Sequence, residues 1–192
     1  EILKYLIPGC GFGGSCFPKD VKALKYLSKE LGLEPRMLNA ILDVNKNQPY
    51  QIIKLLKDSL DDLKGRRILL LGLAFKPDTD DIRESVSIDI IKYLLNEKVI
   101  LYANDPKAIP NMRALIKPGG NLNYISNWQE KLNNVDAVII LTKWEEYKVL
   151  LKDTIMQYLD DLIILDARRL FNPTDFPKSK YLTIGRSIEI KQ

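Results

Sequence analysis

The chain has 192 residues, 46% hydrophobic and 28% charged, which allows a buried core and excludes a disordered composition. Its 29 basic and 25 acidic residues leave a formal charge of +4 and are interleaved, which argues against a nucleic-acid stripe but suits an anionic ligand. There is no histidine, and Cys10 and Cys16 are too few for a disulfide scaffold or a four-ligand zinc site, so any chemistry must come from Cys, Lys, Asp, Glu or Tyr.

Residues 8–17 read as a glycine-rich loop, after which Pro18 sits where a helix can start. Val21, Leu24, Leu27 and Leu31 recur at helical spacing and Gly32 supplies a stop. Pro35 opens a second predicted helix with Met37, Leu38, Ile41 and Leu42 on one face, and Pro49 is expected to break or kink it. A third helix is predicted from Tyr50 to Leu63. Gly65 marks a change of pattern. Arg67–Gly72 is an apolar run ending in glycine, the mark of a strand buried on both faces. Ser85 could cap a helix containing Val86, Ile90, Ile91, Leu94 and Leu95. Strands follow at Val99–Tyr102, Asn121–Ile125, Ala137–Leu141, Leu162–Leu165 and Tyr181–Ile184, with helices predicted at Pro106–Ile116, Trp144–Leu151 and Asp153–Leu159. This is α/β: a helical connector over 1–64, then a doubly wound, mostly parallel, Rossmann-like sheet over 65–192. Ligands of such sheets bind beyond the carboxyl ends of the strands, here Gly72–Glu84, Asn104–Lys107, Thr142–Trp144 and Asp166–Arg169. No apolar run reaches the roughly 20 residues that span a bilayer. No secretory leader is recognisable, and the start at Glu1 reads as the interior of a longer protein, expected in the cytoplasm.

Three segments carry candidate chemistry. In Pro8–Asp20, Gly9, Gly11 and Gly14 satisfy a G-x-G-x-x-G pattern, but no strand precedes it and Ser-Cys-Phe-Pro delays the helix. The better reading is a backbone cradle beside a thiol. Cys16 lies just before a helix N-terminus with Lys19 nearby, both of which favour thiolate, while Asp20 opposes them. A small buried cysteine in a turn fits the same spacing. Cys10, between glycines, reads as structural. In Gly72–Ser85, Lys76 and Arg83 are phosphate-competent cations, although four carboxylates beside them also suit a solvated loop. In Asp166–Leu170, Arg168 or Arg169 could meet a diphosphate or a sugar hydroxyl, or form a surface pair. Asp105 reads first as a turn residue with Pro106, and Trp144 and Tyr147 as core or rim.

G-F-G-G-S-C-F-P-K-D, then G-L-A-F-K-P-D-T-D-D-I-R-E-S, then D-A-R-R resemble, in that order, the UDP-glucose/GDP-mannose dehydrogenase family along essentially the whole chain. The resemblance implies oxidation of a nucleotide sugar at C6 by two NAD, through a thioester on the cysteine matching Cys16. It places Asp20 near the hydrolytic water and Lys19 beside the active site. It implies sugar contacts from Ile7, Pro8, Gly9, Cys10, Gly11, Phe12 and Gly13, and substrate contacts from Phe75, Lys76 and Arg168 or Arg169. Cofactor contacts fall to Cys16, Lys19 and Arg83. The central motif is more similar to UDP-glucose members, with GDP-mannose the alternative. The family's amino-terminal NAD-binding domain is expected to be missing, so the chain alone should not turn over. Association as a homodimer through the helical region is also implied. A nucleotide-sugar binding module without chemistry and a thiol-redox protein using Cys10 and Cys16 are the competing readings.

Overall fold

The structure is a computed structural model that describes residues 6–149, 162–176 and 178–185. Helix α1 (Phe17–Glu30) carries a proline in its first turn and ends just before Gly32. Helix α2 (Arg36–Leu60) packs against it. The sequence predicts a break or kink at Pro49; the helix does not break there, and the second and third predicted helices are one, with Pro49 buried inside it. Proline removes one backbone bond locally. The helix continues because Ile52, Ile53, Leu56 and Leu60 beyond it are buried against the sheet. The helix that the spacing of Val21, Leu24, Leu27 and Leu31 predicts is present, but its leucines do not pack inward. Leu24, Leu27 and Leu31 are exposed, and within the helix Pro18 alone is buried.

Six strands form the sheet: β1 (Arg67–Leu71), β2 (Ile100–Asn104), β3 (Leu122–Tyr124), β4 (Ala137–Ile140), β5 (Ile163–Asp166) and β6 (Lys180–Thr183). Their order is β3-β2-β1-β4-β5-β6 and every neighbouring pair is parallel. The expected α/β class and doubly wound sheet are thus present. Helix α3 (Val86–Asn96) follows β1, with the predicted Ser85 as its side-chain cap. Helix α4 (Ile109–Leu115) follows β2 and starts three residues later than predicted, because 106–108 form a turn. Residues 145–149 are helical. The predicted helix Asp153–Leu159 lies outside the described residues.

The period of two along each strand divides the core. Ile68, Leu70, Ala137, Ile139, Ile163 and Leu165 face one layer with α3 and the second half of α2. Leu69, Leu71, Val138, Ile140 and Ile164 face the other, filled by Trp128, Trp144, Tyr147, Phe171 and Phe176. Trp144 and Tyr147 are therefore core residues. Trp128, which the sequence reading passed over, stacks edge-on with Tyr147 at 5.9 Å.

The strand order reverses between β1 and β4, and there two backbones approach closely. Gly72 has φ +102°, and a methyl group on it would sit 2.5 Å from Thr142. Gly72→Ala should cost about 3 kcal/mol through strain and overlap, lowering the thermal midpoint by roughly 6–12 °C. A thermal melt showing a shift under about 2 °C would refute the close approach.

Candidate functional site

The carboxyl ends of the strands are knitted together by one carboxylate. Asp105, 2% exposed, follows β2. Its Oδ2 accepts bonds from Leu73 N–H (2.7 Å), Ala74 N–H (3.0 Å) and Trp144 Nε1 (3.2 Å). Its Oδ1 accepts from Lys107 and Ala108 N–H. The expected turn role is present, with two further loops added to it. Thr142 Oγ1 donates to Ala74 O, and the Ser85 and Ser87 hydroxyls both donate to Leu73 O.

Onto this edge docks the loop that carries Cys16. Gly14 N–H donates to Arg83 O at 2.8 Å. Gly13 lies against the Glu84 carbonyl, and a methyl on Gly14 would be 2.6 Å from the Phe75 ring. Side chains would not fit there, which is what the paired glycines permit. Lys22 of α1 pairs with Glu84 at 2.7 Å. On the far side, Arg168 Nη1 donates to Gly11 O at 3.2 Å, and its Nε to Leu141 O at 2.7 Å. From α2, Gln48 Nε2 donates to Gly9 O, while Asn45 both accepts from Phe12 N–H and donates to Phe12 O. Asn45 and Gln48 were not read from the sequence. The only signal was two polar side chains three apart on a half-apolar helix face.

The predicted residues fall into two groups. Ile7, Gly9, Gly11, Phe12 and Arg168 line a groove of about 570 Å³ whose other wall is the Met37–Gln48 face of α2. Cys16, Lys19, Asp20, Gly13, Phe75, Lys76 and Arg83 lie outside it, around the end of β1 and the start of α1. Cys16 occupies the N-cap position of α1 and is exposed, with Sγ 3.8 Å from Ser15 Oγ. Lys19 and Asp20 are exposed and paired at 3.4 Å. Lys76 Nζ sits 5.5 Å over the Phe75 ring. Pro8 lies beside Gly185.

Two of the candidate residues have side chains that do not face the groove. Cys10 has no exposed surface and belongs to the core cluster, so its side chain cannot line a sugar. Burial pushes its thiol pKa up, and the nearby Arg168 charge only partly offsets that. Arg169 turns away from the groove: its Nη2 donates to Ile184 and Gly185 carbonyls, and its Nε is buried without a partner. Of the two arginines, Arg168 is the one that reaches the glycine loop.

Arg83 is held in a fork by Asp81, with Nε and Nη2 donating to the carboxylate at 2.7–3.1 Å. Those bonds keep the Asp81 carboxyl below its ordinary range. They raise Arg83 further above its own, with a smaller Coulombic contribution from Cys16.

A dinucleotide needs an open glycine turn directly after a strand and a free acid for the ribose. Here Gly72 is closed by Thr142, and Asp105 commits both oxygens to internal donors. The turn after β1 and the acid after β2 therefore do not form a dinucleotide cradle. Among them, no group of three His, Cys, Asp or Glu side chains could hold a metal, and no helix is long and apolar enough to cross a membrane.

The fold and site define a doubly wound α/β chain that presents an exposed thiol on a glycine loop at the ligand-binding edge of its sheet. Residues 69–173 match the UDP-binding domain of the UDP-glucose/GDP-mannose dehydrogenase family, and residues 1–47 match that family's central domain. The chain belongs to this family. It is 40% identical over 166 residues to a UDP-glucose 6-dehydrogenase of Haloferax volcanii, covering 86% of this chain and 37% of that one. It is 36% identical over 185 residues to a UDP-glucose 6-dehydrogenase of Bacillus subtilis, covering 95% and 40%. The structure of a UDP-glucose dehydrogenase from Pyrobaculum islandicum superposes with a TM-score of 0.76 at 35% identity, covering 90% of this chain and 38% of that one. The chain thus spans about two fifths of the length of these relatives.

Proposed function

We propose that this chain supplies the nucleotide-sugar site and the thiol nucleophile of an NAD-dependent UDP-glucose 6-dehydrogenase. The observation that carries the reading is the docking of the Cys16 loop between two strand-end loops, through Gly14 N–H to Arg83 O and Arg168 to Gly11 O. It brings a backbone cradle, a thiol and phosphate-competent cations to one edge of the sheet.

The nucleotide would lie along the ends of β1, β4 and β5, with Lys76 and Arg168 as its charge partners. The sugar would face the glycine loop and Phe12. The C6 alcohol would first be oxidised to the aldehyde, its hydride passing to the NAD that this reading requires and its hydroxyl proton to solvent. The Cys16 thiolate would then add to the aldehyde carbon, forming the C–S bond as the carbonyl electron pair moves to oxygen. Oxidation of that adduct to a thioester removes a hydride, whose acceptor the described residues do not hold. In hydrolysis, water adds to the thioester carbon and gives its proton to Asp20, and the C–S bond breaks to restore the thiolate. Lys19, 3.4 Å from Asp20, would orient that carboxylate. Arg83 and Lys19 would meet the edge of a dinucleotide bound elsewhere in the active assembly. The exposed face of α1 and α2, including Leu24, Leu27, Leu31 and Met37, suits association with a second copy.

Calorimetric titration of the chain with UDP-glucose, and with GDP-mannose in parallel, tests the reading. UDP-glucose should bind at least about tenfold more tightly, a difference of roughly 1.4 kcal/mol. With NAD and UDP-glucose supplied to the chain alone, no NADH should accumulate. Preference for GDP-mannose would move the substrate class. Absence of binding to either would overturn the proposed site.

A further inference from the structure

We infer that Asn45 of α2 is the positioning residue that sets the sugar-facing backbone of the glycine loop, with Gln48 as its second hold. The inference rests on the reading of that loop as the sugar cradle. Asn45 grips a residue that has no side-chain polarity of its own. Its Oδ1 accepts from Phe12 N–H at 2.7 Å and its Nδ2 donates to Phe12 O at 2.9 Å. Both backbone hydrogen-bonding groups of Phe12 are thereby engaged, as they would be in a strand pair. One helical turn on, Gln48 holds Gly9 O at 2.8 Å.

The neighbouring residues fit this role. Gly11 has φ +106°, and a side chain there would meet Asn45 Oδ1 at 2.8 Å and its backbone carbonyl at 3.5 Å. That carbonyl is the one Pro49, four residues on, cannot bond from within the helix. A glycine on one side and a proline on the other therefore let helix and loop approach. The grip reaches the thiol through aromatic contact. The Phe12 ring lies 5.9 Å from the Phe17 ring, and Phe17 directly follows Cys16. Asn45 touches neither Cys16 nor any other candidate reacting group in this structure; it acts by fixing where the loop lies.

Asn45→Ala and Gln48→Ala in the 192-residue chain, beside wild type, test this. Hydrogen exchange at the Phe12 amide should quicken by about tenfold or more in Asn45→Ala while the β1 amides stay slow. UDP-glucose should bind about tenfold more weakly, because the sugar loses a fixed cradle. UDP, which lacks the sugar, should keep its affinity. Gln48→Ala should give the same pattern in smaller measure, and decides the matter if Asn45→Ala does not fold. Equal weakening of UDP and UDP-glucose would make the role merely structural and overturn the inference. So would unchanged UDP-glucose affinity with a fast Phe12 amide. A wild-type chain that binds neither nucleotide fails the cradle reading instead. The Phe12 amide then still decides the positioning: slow exchange in Asn45→Ala sinks it, and fast exchange upholds it for the thiol-bearing loop alone.

Discussion

Asp105→Ala should cost about 5 kcal/mol of folding stability and lower the thermal midpoint by roughly 10–20 °C. The carboxylate is 2% exposed and takes five hydrogen bonds, all from donors. Bonds to a charged acceptor contribute about 1.5–3 kcal/mol each, but alanine also relieves the burial of the charge, so the simple sum overshoots. What alanine cannot relieve is the set of N–H groups left without an acceptor. Those of Leu73, Ala74 and Trp144 come from loops after β1 and β4, so the loss falls on the strand ends that carry the site. Asparagine at this position offers no rescue. Its amide nitrogen must face either the two donors on the Oδ1 side or the three on the Oδ2 side, so Asp105→Asn should lose nearly as much. Asp136→Ala is the control. Asp136 binds Arg66 and the Arg67 N–H at a half-exposed position, and its loss should cost about 1 kcal/mol. Urea denaturation at constant slope measures all three. A loss under about 1 kcal/mol for Asp105→Ala would show that the loops are held by their backbones alone.

The sheet was legible in the sequence because its strands are continuous apolar runs. Burial on both faces needs no alternation, and Ile68–Leu71, Ala137–Ile140 and Ile163–Leu165 announce it by composition. Ser85 was legible as a cap because its role depends on residues within one turn. The front half departs from the sequence expectation at Pro49, while its first helix forms as expected with its apolar residues exposed. Helix-breaking and apolar spacing are local signals, and what they lead to depends on what lies across from them. Pro49 is carried by the burial of Ile52, Ile53 and Leu56 beyond it. Leu24, Leu27 and Leu31 keep helical spacing yet stay exposed.

The site was legible where chemistry is written in residue type, and illegible where it is written in tertiary contact. A cysteine at a helix start and arginines after strands are local patterns. That Arg168 rather than Arg169 reaches the glycine loop depends on a backbone turn: Arg169 has φ +50° and is drawn to the carbonyls after β6. Asn45 and Gln48 act across 33 and 39 residues of chain, and nothing near them in sequence names their partners. The resemblance assigned Cys10 to the sugar because it aligns by position. The spacing between glycines assigned it to the core, and burial agrees with the spacing.

That contrast between the two thiols gives the second large effect. Iodoacetamide at about pH 8 should modify Cys16 about a hundredfold or more faster than Cys10. The attacking species is thiolate, and it must reach the reagent. Cys16 is exposed at the first turn of α1, whereas Cys10 has no exposed surface and its thiol is pushed up by burial. Cys10 can react only when the loop opens, so its rate is lowered by the free energy of that opening. Mass spectrometry of the peptides separates the sites, and Cys16→Ser should leave no fast-reacting thiol. The same shift gives a pH effect with a definite sign. A thiol whose folded value lies above its unfolded value contributes stability that is fully present below the unfolded value and is lost as pH rises through the folded one. Stability should therefore decline on the alkaline side of the ordinary thiol range, and Cys10→Ala should flatten that decline while leaving Cys16 as reactive as before. Equal reaction of both cysteines would mean that the loop does not stay docked. Its contacts with Arg83, Arg168 and Asn45 would then be too weak to present Cys16 in one place, and the proposed nucleophile would lose its structural support.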